Sequence, residues 1–313
     1  MSRILTITLN PALDLTVRLP ELHPGEVNRS EAVVMHAAGK GLNVAQVLAD
    51  LGHSLTVTGF IGADNAEPFE ALFAERAFTD AFVRVKGETR SNIKLAETAG
   101  RVTDINGPGP HVTEAAQAQL LQTLDDIAAG HDLAVVAGSL PRGVTADWLA
   151  SLIHRLKGLG LRVALDTSGA ALRAGLAAGP WLVKPNTEEL AEACSAPAES
   201  AHEQAALAVQ LAAQGVKHVV ISQGSEGVRW FGPGQVIQAT PPKVKVASTV
   251  GAGDSLLAGM AHGLLTGLDP QETLRNATAI AAMAVTQIGF GIDDPARLAE
   301  LANGVSVRVM TEQ

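Results

Sequence analysis

A chain of 313 residues that is 47% hydrophobic holds enough apolar material for a substantial core, and its net charge of −9 argues against a sequence-independent grip on nucleic acid. Aromatics make up only 3% with no Tyr, too few for base-stacking platforms, and Cys194 as the single cysteine excludes an intrachain disulfide and a CxxC metal site. No apolar run reaches the ~18 residues of a membrane span, and the run after Met1-Ser2-Arg3 is too short for a signal peptide, so the expectation is a cytoplasmic protein whose partners are small molecules rather than a membrane or nucleic acid.

In chain order, Arg3 to Leu9 reads as a strand, and Asp14 to Leu19 and Ser30 to His36 read as short alternating strands separated by Pro20, Pro24 and Gly25. Leu42 to Leu51 then predicts a helix and Ser54 to Ile61 a strand. Phe82 to Asn106 alternates again without a helix. Together the two helix-free stretches predict one small sheet, a lid formed by about residues 11–35 and 87–107. From about residue 110 onward, β-branched runs alternate with Ala- and Leu-rich stretches. Helices are predicted at Thr113 to Gly130, Thr145 to Lys157, Ser168 to Ala178, Thr187 to Ala193 and Ala201 to Gln214. Between them fall strands Asp132 to Ala137, Arg162 to Asp166, Trp181 to Lys184 and His218 to Ser222. That alternation signals an α/β class with parallel strands and crossover helices, whose ligands sit outside the carboxyl ends of the strands.

Four segments could carry chemistry. Ser248-Thr249-Val250-Gly251-Ala252-Gly253-Asp254-Ser255 sets small residues and a carboxylate at the entrance of the apolar helix Leu256 to Leu265, which makes a phosphate cradle with an acid beside it. Asp254 there is either a base that takes a proton from an attacking hydroxyl or a helix cap. His36 to Ala45 places Gly39, Lys40 and Gly41 at another helix entrance, without Walker A spacing. In Lys184-Pro185-Asn186-Thr187-Glu188-Glu189 the Asn and Glu suit Mg²⁺, and they equally suit a capping box. Ser222-Gln223-Gly224-Ser225-Glu226-Gly227 either lets backbone approach a nucleotide or forms a hairpin turn into Val228 to Phe231. GAGDSL is no dinucleotide fingerprint, because Leu256 stands where the third glycine belongs. Nine histidines lack HExxH spacing, so zinc hydrolysis has no support.

Taken together, AAGKGLNVA, Lys184-Pro185-Asn186-x-x-Glu189 and STVGAGD resemble the ribokinase-like sugar kinase family, in its phosphosugar branch of the phosphofructokinase B type. The opening Thr6-x-x-x-Asn10-Pro11-Ala12-x-Asp14, with Thr89 to Lys94 and Gly138 to Pro141, extends the likeness over essentially the whole chain. It implies a single domain over 1–313, built as a three-layer α/β/α body with a mostly parallel central sheet plus a small β-sheet lid. By that resemblance Asp254 is the base, and the N–H groups of Gly251, Ala252 and Gly253 form the anion hole. Asp14 and Asn43 hold sugar hydroxyls, Gly39 packs under the sugar, and Lys40, Arg90 and Ser139 gather around its phosphate. Ser222, Gly224, Ser225 and Gly227 lie along ATP, while Lys184, Asn186 and Glu189 organise phosphates and Mg²⁺, with Glu189 as the metal ligand. The implied reaction phosphorylates fructose 1-phosphate at its 6-hydroxyl to give fructose 1,6-bisphosphate and ADP. Tagatose 6-phosphate and fructose 6-phosphate are the alternative substrates, and a non-catalytic sugar-phosphate sensor is the alternative outside enzymes. A homodimer through the lid is also implied.

Overall fold

The computed structural model describes residues 1–287 and 289–310. Its first half runs β1 (Arg3–Thr8), β2 (Ala12–Leu19), β3 (Ala32–Ala38), α1 (Lys40–Asp50), β4 (Ser54–Gly62), α2 (Glu67–Glu75), β5 (Thr79–Asp80), β6 (Val83–Val85), β7 (Ser91–Glu97), β8 (Val102–Asn106), α3 (Glu114–Ile127) and β9 (Leu133–Ala137). The second half runs α4 (Ala146–Gly158), β10 (Arg162–Asp166), α5 (Gly169–Ala177), β11 (Leu182–Val183), α6 (Thr187–Cys194), α7 (Ala201–Ala213), β12 (His218–Ser222), β13 (Val228–Gly232), β14 (Gln235–Thr240), α8 (Ala252–Thr266), α9 (Pro270–Ala284), α10 (Pro295–Gly304) and β15 (Ser306–Met310).

The large sheet has the order β15-β14-β13-β12-β11-β10-β9-β1-β4-β5, with β6 beside β4. Pairing is parallel from β5 through β12 and antiparallel from β12 through β15. The α/β expectation therefore holds, with a meander closing one end. Strands buried on both faces look like plain apolar runs, yet their alternation still separates two cores. In β9, Leu133, Val135 and Ala137 join α1, α8 and α9 on one side. Ala134 and Val136 join α3, α4 and α5 on the other, so helices cover both faces in three layers.

α4 illustrates how these helices form. Thr145 accepts a hydrogen bond from Trp148 N at the start, Arg155 and Lys157 lie in the last turn, and Leu149, Leu152, Ile153 and Leu156 make one buried stripe. Each such side chain contributes roughly 1.5–3 kcal/mol by burial, and Leu152→Ala would cost about 2–5 kcal/mol. Among the described residues no helix is long and apolar enough to cross a membrane.

The two helix-free stretches pair with each other in a separate four-stranded sheet, β3-β2-β7-β8. β3 ends later than its alternation suggested, because Ala12↔Ala38 pairing carries it to the residue before Gly39. Register puts Asp14 opposite both His36 and Asn92 on one face. The other face collects Val17, Val33, Met35, Ile93, Leu95 and Ile105. Val33, Met35 and Ile105 are 55%, 50% and 52% exposed there, a contiguous apolar surface that this chain leaves uncovered.

Candidate active site

The carboxyl ends of the parallel strands and the N-termini of α1, α6 and α8 meet around a cavity of about 380 Å³. Gly251 opens α8 with φ +83°, a backbone state that an L side chain resists, so glycine is required for this turn. The turn sets the first amides of α8 beside the cavity, and the N-terminus of a helix is an arrangement suited to an anion. Asp254, in the first turn, is buried, and its Oδ2 accepts a 2.7 Å hydrogen bond from Asn43 Nδ2 on α1. Burial, reinforced by the Asp166 carboxylate, outweighs Asn43, Lys40 and Lys184 and pushes the Asp254 carboxyl up to about 6. That value suits a base working near neutral pH.

Two lysines share one buried anion. Asp166, at the end of β10 and 1% exposed, lies 3.4 Å from Lys40 Nζ through Oδ1 and 3.5 Å from Lys184 Nζ through Oδ2. Burial opposes the Lys40 charge, but the carboxylates of Asp166, Asp254 and Glu189 prevail and raise its pKa. Lys184 lies against the first turn of α8: a Cβ built on Gly253 would stand 3.1 Å from its Nζ. Asp166 is the principal functional candidate that motif reading misses. Its signal was an acid at the carboxyl end of a buried strand, where α/β ligands bind.

Gly39 is wedged at the entrance of α1: a Cβ there would approach Thr8 Cγ2 to 2.7 Å and Pro11 Cα to 3.2 Å. Asp14 Oδ1 accepts from Asn92 Nδ2 at 3.0 Å. Burial raises the Asp14 pKa, against Asn92, Lys94, Arg90 and His36. Arg90 donates to the carbonyls of Asn10 (3.1 Å), Pro11 (3.3 Å) and Gly107 (3.4 Å), which fix its guanidinium without neutralising it. Burial lowers its pKa, partly countered by Asp14. Asp14, Gly39, Lys40, Asn43 and Arg90 line the cavity together with Gly251, Gly253 and Asp254. Ser139 stays outside this lining, exposed, with its Oγ accepting from Asn10 Nδ2 at 3.1 Å. Asn92, Thr249 and Val250 line the cavity without having been singled out for a role.

At the other side, Asn186 and Glu189 close the capping box: Glu189 N donates to Asn186 Oδ1 at 2.7 Å and Asn186 N donates to Glu189 Oε2 at 2.9 Å. Both also line the cavity with Lys184, so the structural and ligand readings coexist. A second recess of about 400 Å³ shares Asn186 and Ser222 with the first and is bounded by Gln223 and Gly224. Ser225 is exposed and lines neither space. Gly227 is buried where Ala239 O of β14 takes the room of a side chain, so it serves the β13–β14 pairing. The hairpin reading of 222–227 thus accounts for Gly227, while Ser222 and Gly224 face the recesses. Among the described residues no three His, Cys, Asp or Glu side chains cluster as metal ligands. Mg²⁺ beside phosphates needs only one or two protein carboxylates, and Glu189, which spends one oxygen on the capping box, fits that need.

The 1-phosphofructokinase of Vibrio cholerae is 45% identical over 308 residues, covering 98% of this chain and 97% of its own. That of Escherichia coli K12 is 44% identical over 306 residues, with 98% of each chain covered. The crystal structure of Escherichia coli phosphofructokinase-2 in complex with fructose-6-phosphate superposes with a TM-score of 0.87 at 31% identity, over 97% of this chain and 99% of that one. The model of the pfkB family carbohydrate kinases matches residues 7–297, from the first strand to the last helix, and the chain belongs to that family.

Proposed function

We propose that this kinase transfers the γ-phosphoryl group of ATP to the 6-hydroxyl of fructose 1-phosphate, giving fructose 1,6-bisphosphate and ADP. The observation that carries the chemistry is the buried Asn43–Asp254 pair, which aims a carboxylate of raised pKa at the cavity beside the Gly251 turn. The relatives of 41–45% identity that bear the name 1-phosphofructokinase support the choice of sugar.

In this reading Asp254 takes the proton of the 6-hydroxyl as that oxygen attacks the γ-phosphorus, and the bond from phosphorus to the β-phosphate oxygen breaks. The amides of Gly251, Ala252 and Gly253 hold the group in flight, and Lys184 draws off its charge. Lys40 and Arg90 grip the phosphate already on the sugar, with Ser139 at its margin, while Asp14 and Asn43 orient the hydroxyls and Gly39 lets the sugar come close. Asn186, Ser222 and Gly224 border the nucleotide, with Ser225 and Gly227 in the same turn. Glu189 would hold Mg²⁺, which would supply neutralisation of the phosphate charge. Asp166 keeps both lysines in place between donor and acceptor.

The small sheet acts as a lid that excludes water, and a second copy of the chain covers its apolar face. Charged substitution at Met35 should convert a dimer to a monomer in light scattering; a monomeric parent protein would refute the pairing. ATP as donor and the lone Cys194 support a cytoplasmic setting. The deciding experiment compares kcat/KM for fructose 1-phosphate, fructose 6-phosphate and tagatose 6-phosphate by ADP release. A preference for either 6-phosphate changes the substrate and leaves the kinase assignment standing; no ADP release with any sugar favours a sensor.

A further inference from the structure

The turn after α9 makes contacts that phosphoryl transfer, as derived above, leaves unused. Phe290 is half-buried, and its ring fills the space that Gly251 leaves by lacking a side chain: a Cβ there would stand 2.8 Å from Cε1 and 3.0 Å from Cδ1. The turn that carries this ring is tied at several points. Ile292 N donates to Asp50 Oδ2 at 2.7 Å, and Gln287 Nε2 donates to Gly291 O at 2.9 Å. Gly291 itself lies so close to Asp50 that a Cβ would meet Oδ2 at 2.5 Å. Asp50 is the last residue of α1, and its Oδ1 accepts from Arg76 Nη2 at 2.6 Å. The same Arg76 nitrogen donates to Gln46 O at 2.7 Å, which fastens the brace to the helix.

We propose that Phe290 is a positioning residue for phosphoryl transfer, a wall that holds Gly251 in its left-handed state, and that Asp50, braced by Arg76, positions Phe290. Glycine has the freest backbone of any residue, so a turn built on it stays aimed only if something outside the turn confines it. Anion-hole donors act through preorganisation, and losing one costs about 10²–10³ in kcat. A loosened loop forfeits part of that. The sugar contacts arise from α1 and the small sheet, so binding of the phosphosugar is spared. α1 therefore serves both reactants, with Lys40 and Asn43 at its first turn and the Asp50 brace at its last.

The inference rests on the kinase reading, and one readout separates the two. Hydrogen exchange of the ligand-free protein over residues 248–256 should be severalfold faster in Phe290→Ala than in the parent; unchanged exchange overturns the proposal whatever the activity. With ATP and fructose 1-phosphate, Phe290→Ala should lose about tenfold or more in kcat with the sugar KM within about twofold. Phe290→Leu, which refills much of the space, should recover most of the loss. An unaffected kcat, or a rise in sugar KM equal to the loss, refutes the role. Should Phe290→Ala fail to fold, Asp50→Asn decides by the same two measurements, since Asn still accepts from Ile292 N but no longer pairs with Arg76. Absence of turnover in the parent protein would count against the kinase reading alone.

Discussion

α8 is tied to α1 at one end and to the loop after α1 at the other, and the two contacts are built on opposite plans. Toward the cavity, Asn43 and Asp254 share one hydrogen bond, while Asn43 Oδ1 and Asn92 Oδ1, on two residues of the lining, are buried without a partner among the described residues. Among the described residues Asp166 Oδ2 has only the 3.5 Å approach of Lys184. At the far end, Ser2 N donates to His53 Nδ1 at 3.3 Å, which assigns the ring proton to Nε2, and Nε2 then donates to His262 Nδ1 at 2.9 Å. Buried polar groups left short of partners cost stability, and a protein keeps them where a ligand supplies the missing bonds. The difference separates a region shaped for binding from one shaped only to hold two elements together.

The largest effect that would break this contrast is at Asp254. Asp254→Asn should depress kcat by about 10²–10⁴ while leaving ATP binding nearly intact, measured by initial rates and nucleotide titration. It should also stabilise the protein. The folded state holds this proton more tightly than the unfolded chain, so its charged form destabilises progressively as pH rises from the ordinary aspartate value of 3.8 through about 6. Above that window the Asn variant should gain up to about 3 kcal/mol in denaturant unfolding, and an Asn variant less stable than the parent at pH 8 contradicts the strained-carboxylate account. The same titration predicts that kcat/KM falls below pH of about 6.

Arg90→Ala comes next. Loss of a charge-assisted contact worth about 1.5–3 kcal/mol should raise the sugar KM roughly 10–100-fold with a smaller change in kcat. An unchanged sugar KM removes Arg90 from phosphate recognition. Asp166→Asn should weaken both substrates severalfold and lower the melting temperature, because Lys184, 5% exposed, would lose its counter-charge. An effect confined to one substrate would show that the two lysines do not depend on a shared anchor. The smallest change belongs to the far end: His262→Ala should cost about 1 kcal/mol of stability and leave kcat untouched. Burial holds His53 and His262 below the ordinary histidine pKa. The unfolded chain therefore binds protons there more readily, and the pair's contribution is lost as pH drops below about 6.5, a loss that His262→Ala should reduce in pH-dependent melting, leaving the share that comes from the burial of His53.

What the sequence makes legible follows from the range of the interactions. Glycine turns, strand alternation and the Asn186–Glu189 box are encoded within a few residues, so the Gly251 turn, the small sheet and the alternation of strands and helices in the body can be read directly. α9 and α10 open on Asp-Pro, with Asp269 and Asp294 as caps, and those starts are equally local signals. Asp166 and Phe290 are different. Each gains its meaning from partners more than thirty residues away, Lys40 in one case and Gly251 in the other, and no spacing rule joins such pairs. Gly227 shows the converse, where a glycine in a plausible nucleotide loop is explained by the carbonyl of Ala239.

Between the last residue of β3 and the first of α1 stands Gly39 alone, locked over Thr8 and Pro11. If the small sheet closes as the proposed lid, a joint this short would pass its tilt to the first turn of α1 and to Lys40. In that proposal door and latch are one piece of backbone. A flexible residue inserted after Gly39 would leave an entrance that swings shut without tightening on what has entered.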